Sequence, residues 1–218
     1  MTRLMFYTTS LLAFTVSIAV FTASAELHQN TLTVDATNRE NWAYFNLTKG
    51  ETVDIAEPGT SMAWDLGFKR TEVIANGGAS GPGETGVLAL KDLSFEDVLE
   101  APEDDYVSDT DQIATFARGD GWYTYTGPPN HWILPNPKVY VLRIAPDTQA
   151  EPASPYYYAK IRFIGYYENN ETKEGSGNIT IEYVLQDDGT RSFVESVPTS
   201  VDAQRKLTTT WAAIKSNQ

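Results

Sequence analysis

Few side chains in this 218-residue sequence could do chemistry, and they are unevenly placed. There are two histidines, no cysteine and three methionines, of which only Met62 lies beyond residue 25. Without cysteine there is no thiolate nucleophile, disulfide, zinc ribbon, iron–sulfur cluster or cysteine-linked lipid. A hydrolytic triad needs an imidazole base. His28 falls in a stretch expected to be mobile near the start of the mature chain, and His131 has no patterned nucleophile beside it. The 29 Asp and Glu residues guarantee chance pairs of carboxylates, so spacing alone does not single out a glycosidase acid and base. The Gly-rich stretch Asn76 to Gly86 lacks the Gly-Lys-Ser/Thr of a phosphate loop, and Pro82 stands where a nucleophile elbow needs glycine; it reads as a wide turn. The acidic run Glu100 to Asp111 lacks the Asp-x-Asp-x-Asp-Gly pattern of a calcium loop and reads as a solvated surface segment. The informative segment is Gly121 to Pro135. There Trp122, Tyr123 and Tyr125 precede a Pro-rich loop that carries His131 beside Trp132. An imidazole in a semi-rigid aromatic loop can ligate a metal ion or a haem iron, or serve only to pack the loop.

The elements that must position these residues are strands. Period-two alternation runs through 31–34, 42–47 and 52–55, with a turn at Lys49-Gly50-Glu51. Residues 63–74 read as one strand bent at Gly67. Further strands are expected at 86–90, 121–126, 138–144, 156–167 and 177–186, and Asp188-Gly189 signals a hairpin returning through Ser192-Phe193-Val194. No β/α alternation is present, so the fold class is all-β and mainly antiparallel. Pro146 to Pro155 reads as a connection. Leu207, Trp211 and Ile214 follow helical spacing behind Ser200, which suggests a short C-terminal helix.

Composition and the N-terminus bound the setting. Hydrophobic residues make up 41% and charged residues 21%, as in a globular domain. A net charge of −13 argues against nucleic acid, which needs a basic surface. Residues 1–25 read as a signal peptide: Arg3, an apolar run from Leu11 to Phe21, then Ala23-Ser24-Ala25 as the cleavage site. No later stretch approaches the length of a transmembrane segment. The expected organisation is a signal peptide over 1–25, a single β domain over 26–197 and a C-terminal tail or short helix over 198–218. The expected location is periplasmic or extracellular and soluble, with no lipobox cysteine.

A series of motifs then appears in order. They are Asn41-Trp42-Ala43-Tyr44-Phe45-Asn46-Leu47-Thr48-Lys49-Gly50-Glu51, Trp64-Asp65-Leu66-Gly67-Phe68-Lys69-Arg70, the loop Asn76 to Gly81, Gly121-Trp122, Val139 to Arg143, Tyr158 to Phe163 with Tyr166-Tyr167, and Gly177 to Tyr183. The set, spanning roughly residues 31–186, resembles the HmuY-like haem-binding proteins, the exported haem-capture family of Bacteroidetes. The resemblance implies an HmuY-like β fold that grips haem, or a related porphyrin, between loops. It implies a non-catalytic, haemophore-like role in bacterial iron acquisition, with an outer-membrane haem receptor as a further partner. It also implies two axial ligands, histidines or methionines, one before the Gly-Trp pair and one a few residues after it. Here the segment before Gly121 has neither residue, and counting back from Arg143 puts the second position near Thr126-Gly127. The ligand pair therefore does not transfer residue by residue. His131, four or five residues away, is the candidate iron ligand. The second ligand is left among Met62, a tyrosinate from Tyr123 or Tyr125, and none. Trp122, Tyr123, Tyr125 and Trp132 would flank the macrocycle, with Arg118 or Lys138 meeting the propionates. The competing readings are a β-sandwich module that binds carbohydrate or another surface ligand through the same aromatics, and a hydrolase using paired carboxylates.

The leader makes the first prediction. Mass spectrometry of the exported protein should find a mature N-terminus at or near Glu26 with no lipid attached. Retention of residues 1–25 would refute it.

Overall fold

The alternating segments become eleven strands in the computed structural model, which describes residues 27–145 and 156–195. These are β1 (Leu27–Asp35), β2 (Ala43–Asn46), β3 (Glu51–Val53), β4 (Leu66–Lys69), β5 (Glu72–Ala75), β6 (Gly86–Leu90), β7 (Tyr123–Tyr125), β8 (Ile133–Pro135), β9 (Val139–Ile144), β10 (Tyr157–Asn169) and β11 (Glu174–Gln186). They form a five-stranded sheet in the order β1-β11-β10-β9-β6, a four-stranded sheet in the order β3-β2-β4-β5, and the two-stranded ribbon β7-β8. All of these pairings are antiparallel, as the patterning requires.

The two larger sheets bury a common core. From the five-stranded sheet come Tyr140, Leu142, Ile161, Phe163, Ile179, Ile181 and Leu185; from the four-stranded sheet come Phe45, Leu66, Phe68 and Val73. Each fully buried aliphatic or aromatic side chain of this kind contributes roughly 1.5–3 kcal/mol. The five-stranded sheet is also covered on its other face, where Val139, Val141 and Val184 pack against Phe95, Val98, Ala101 and Phe193. Burial on both faces explains why β9 reads as an almost unbroken apolar run. Lys160 of β10 projects into this second layer, where its ammonium donates to the carbonyls of Phe95 (2.7 Å) and Val98 (2.9 Å) and so pins the covering loop. Burial pushes the Lys160 pKa down.

Several expectations need correction. Residues 63–74 are not one bent strand but the β4-β5 hairpin, turned at Arg70-Thr71. Arg70 adopts a left-handed φ of 54°, and it is held by its N–H to the Ala36 carbonyl (2.8 Å) and its guanidinium to the Ser176 carbonyl (2.7 Å). Asp188-Gly189 does not open a hairpin: Ser192 bridges to Glu100, and the Phe193 N–H bonds the Leu99 carbonyl, so the chain joins the covering loop. His28 is not in a loose stretch; it lies in β1 opposite Leu185, with its ring 3.2 Å from the Asp187 carboxylate. The acidic run is not wholly solvated, because Ala101 and Asp109 are buried. Asp109 caps the edge of β5: its carboxylate accepts the N–H groups of Ala75 (3.0 Å) and Thr115 (2.6 Å). The wide turn at 76–86 is formed as expected and wraps this same Asp. Gly78 has a φ of 61°, and a Cβ there would lie 2.1 Å from the Asp109 carbonyl, so only glycine fits. The signal segment, the Pro146–Pro155 connection and the C-terminal helix lie outside the described residues.

Asp65 supplies a pH test. It is 8% exposed, its carboxylate accepts the Leu47 N–H at 2.7 Å, and burial raises its pKa to about 6. A folded-state value above the unfolded one means the proton stabilises the native state. This group's contribution is therefore fully present below about pH 4 and is lost as pH rises through 6. Asp65→Asn, which keeps an acceptor without the charge, should be more stable than wild type above pH 6 by on the order of 2 kcal/mol, and the gap should close near pH 4. Urea titrations of both proteins across this range check it.

Candidate functional site

The β4-β5 hairpin and the segment 112–123 enclose a groove of about 510 Å³, within the usual range for small-molecule pockets. Trp42, Ile74, Ile113, Phe116 and Tyr123 supply its apolar surface, and Glu72 and Asp120 are its charged residues. Among the described residues, no histidine or methionine lines it. Both carboxylates are already paired. Glu72 lies 3.5 Å from Lys69, whose ammonium also stands 4.5 Å from the Trp42 ring centroid. Asp120 meets Lys91 at 3.6 Å and Lys138 at closer range, and the Lys138 bond holds its pKa below the usual carboxylate range.

Trp122 forms the floor from the core side. It is 1% exposed, stacks on Phe163 at 4.6 Å between centroids, and donates its indole N–H to the Thr71 carbonyl at 2.9 Å. It therefore packs the scaffold and offers no open face to a ligand, contrary to the expectation from sequence. Lys138 is likewise committed. It is buried, and its ammonium serves Asp120 and the Gly121 carbonyl (2.7 Å), which takes it away from the propionate role expected of it. Arg118 donates to the Ser108 carbonyl at 3.2 Å.

From Trp122 the chain enters the β7-β8 ribbon. Its register pairs Tyr123 with Pro135 and Tyr125 with Ile133, so both tyrosines occupy one face while Thr124 turns away to bond Asn136 (2.7 Å). A bulge in β10 positions this ribbon. The register shifts on either side of Gly165, where a Cβ would lie 2.4 Å from the Asn170 side chain. The shift buries both Tyr166 and Tyr167, and the Tyr167 hydroxyl accepts the Ile133 N–H at 2.9 Å. The tip closes through Thr126 N–H to the Trp132 carbonyl (2.9 Å), Trp132 N–H to the Thr126 hydroxyl (3.0 Å) and His131 N–H to the Gly127 carbonyl (2.8 Å). That last bond folds His131 back against residue 127, so the four-residue gap in sequence is a turn whose ends meet. His131 takes a left-handed φ of 54°, a conformation costing roughly 1–2 kcal/mol for most residues. Its ring is exposed, and Nδ1 hydrogen-bonds the Tyr125 hydroxyl.

Of the residues singled out from sequence, then, Tyr125, His131 and Trp132 share the ribbon tip, with Tyr125 52% and Trp132 37% exposed, and Tyr123 joins the tip to the groove. Met62 is apart. It precedes β4, at the end of the β4-β5 hairpin opposite the Thr71 turn that takes the Trp122 bond. Sequence reasoning missed the groove residues Ile74 and Ile113, which become neighbours only through tertiary packing; Trp42 stood in a quoted motif without a role.

These placements separate core from surface. Trp122→Ala should cost about 3–5 kcal/mol and Trp132→Ala less than about 0.5 kcal/mol, as measured by chemical denaturation.

Comparison with known proteins follows the same architecture. The family model described as HmuY protein matches residues 38–183. The crystal structure of an apo HmuY analogue from Tannerella forsythia is similar, with a TM-score of 0.52 and 19% identity over 75% of this chain and 98% of that one. Apo PinO from Porphyromonas gingivitis is similar with a TM-score of 0.50 and 12% identity, over 74% of this chain and 98% of that one. At these identities the solved structures speak for the fold alone. No curated protein sequence matches.

Proposed function

Because this chain belongs to the HmuY family, we propose that it is an exported, non-catalytic haem-binding protein that holds haem or a related porphyrin in the periplasm or outside the cell. Such a protein would serve iron acquisition and pass its ligand to an outer-membrane receptor. The observation that carries the reading is the continuity of groove and ribbon. Tyr123 lines the groove, Tyr125 follows two residues on along the same face, and that face ends at an exposed imidazole. Tyr123 and Tyr125 would flank a flat macrocycle, and His131 would offer it a nitrogen.

The residues present fit haem on three counts. The groove walls are apolar, and each of its two carboxylates is paired with lysine. His131 offers an imidazole nitrogen. Its other nitrogen is engaged by Tyr125, as metal-binding histidines require. When bound, haem would supply an iron that an imidazole nitrogen can ligate. Met62 stays a poor candidate for the second ligand because of its place in the fold.

Hemin titration tests the proposal. Wild type should give a saturable one-to-one Soret shift. His131→Ala should change the Soret and Q bands and weaken binding at least about tenfold, the scale of losing a ligand contact. Ile113→Glu, which puts a charge into the groove, should weaken binding without altering the spectrum of the bound form. Absence of any specific spectrum in wild type would overturn the haem reading. Glycan binding lost on Tyr125→Ala and Trp132→Ala would then favour a carbohydrate module, since those two rings are the exposed aromatics of the tip.

A further inference from the structure

We infer that Tyr125 is a positioning residue: its phenol oxygen accepts the Nδ1–H of His131, which fixes the imidazole in one tautomer and leaves Nε2 as the free donor nitrogen on the open side of the ribbon. The inference deepens the haem reading and rests on it for the identity of the ligand, but not for the tautomer itself.

The backbone makes the pairing. Tyr125 is the last residue of β7, opposite Ile133, so its side chain stands at the rim of the ribbon where the tip begins. Residue 131 belongs to the tip and would ordinarily project away from it. Its left-handed φ, together with the bond from its N–H to the Gly127 carbonyl, turns the ring back across the ladder. The rings then lie 5.7 Å apart with planes 31° apart, and the hydroxyl meets Nδ1. A histidine free to rotate at an exposed turn would divide between tautomers and rotamers. One whose Nδ1 is occupied presents a single nitrogen in a single direction, and a metal-binding imidazole needs that arrangement.

The chain around the pair is already ordered. The bonds between Thr126 and Trp132 close the tip, and Tyr167 anchors Ile133, the residue paired with Tyr125. The strained backbone at His131 is therefore held by the ribbon and does not depend on the hydroxyl. Removing the hydroxyl should release the ring while the ribbon stays folded.

The experiment uses the mature protein labelled with ¹⁵N, at about pH 8 where an ordinary imidazole is neutral. Long-range ¹H–¹⁵N spectra report which ring nitrogen carries the proton. The sequence has only two histidines, and His28→Gln removes the other signal. Wild type should show His131 as the Nδ1–H form. Tyr125→Phe, which keeps the ring and loses the hydroxyl, should show mixed tautomers with an otherwise unchanged amide spectrum. Hemin affinity of Tyr125→Phe should fall about tenfold, the effect typical of losing the partner behind a ligand, while the bound spectrum keeps its imidazole character. A wild-type Nε2–H form, or a Tyr125→Phe protein with the same tautomer and the same hemin affinity, would overturn the inference. A wild type with the expected tautomer but no hemin spectrum supports the positioning role and overturns the haem reading alone.

Discussion

Burial of the Trp122 indole joins the parts of this molecule that matter for ligand binding. One side chain stacks on β10 through Phe163, donates to the turn of the β4-β5 hairpin at Thr71, and sits at the root of the β7-β8 ribbon. An indole N–H left without an acceptor in such a place would cost about 1–3 kcal/mol, so the turn carbonyl and the ring must arrive together. The groove exists because these three elements are held at that spacing. Its walls come from the hairpin and from the segment leading to Trp122, and the indole is bonded between them.

Polar groups complete what apolar packing begins. Asp109 ties the end of β5 to the segment at Thr115 through two hydrogen bonds, and Lys160 holds the covering loop by two carbonyls. Both side chains are buried, and each is tolerated there because it meets backbone partners at close range. The ribbon is tied more lightly, through Tyr167 and a few bonds at its tip. The apolar slot lies against the packed sheets, and the imidazole lies on the ribbon.

The strands were the most readable part of the sequence. Gly86–Leu90 forms as expected to the residue, and β9, β10 and β11 fall within a few residues of their expected bounds, β10 and β11 through their alternation and β9 as a short apolar run. The β4-β5 turn escaped because Lys69-Arg70-Thr71-Glu72 contains none of the residues that make turns locally. Arg70 is forced into its left-handed conformation by partners at residues 36 and 176. The Asp188-Gly189 signal misled for the converse reason: the turn is present, but the returning chain finds a better partner at Glu100 than at β11. At the site, the aromatic segment was recognisable as the place to look, yet its residues divided in a way that composition could not reveal. Trp122 and Tyr125 are three positions apart, and one is sealed in the core while the other is half exposed. Which aromatic faces a ligand depends on the ribbon's register, and the ribbon is anchored by Tyr167, beside a bulge about forty residues downstream at Gly165.

The order of strands in the larger sheet has a kinetic meaning. Its outermost strand, β1, is the first described segment of the chain, and it pairs along its whole length with β11, the last strand: Leu27 lies opposite Gln186. Closing that pair means bringing together residues separated by almost the entire domain, and the entropy of so long a loop is lost before its contacts are gained. A chain emerging N-terminus first therefore holds its opening strand unpaired until the final one appears. The β4-β5 and β10-β11 hairpins can form early, and β1 must wait. During that wait its edge is open to any other extended segment, so refolding should slow and aggregation grow as concentration rises, and the unfinished sheet is where a chaperone would be of most use.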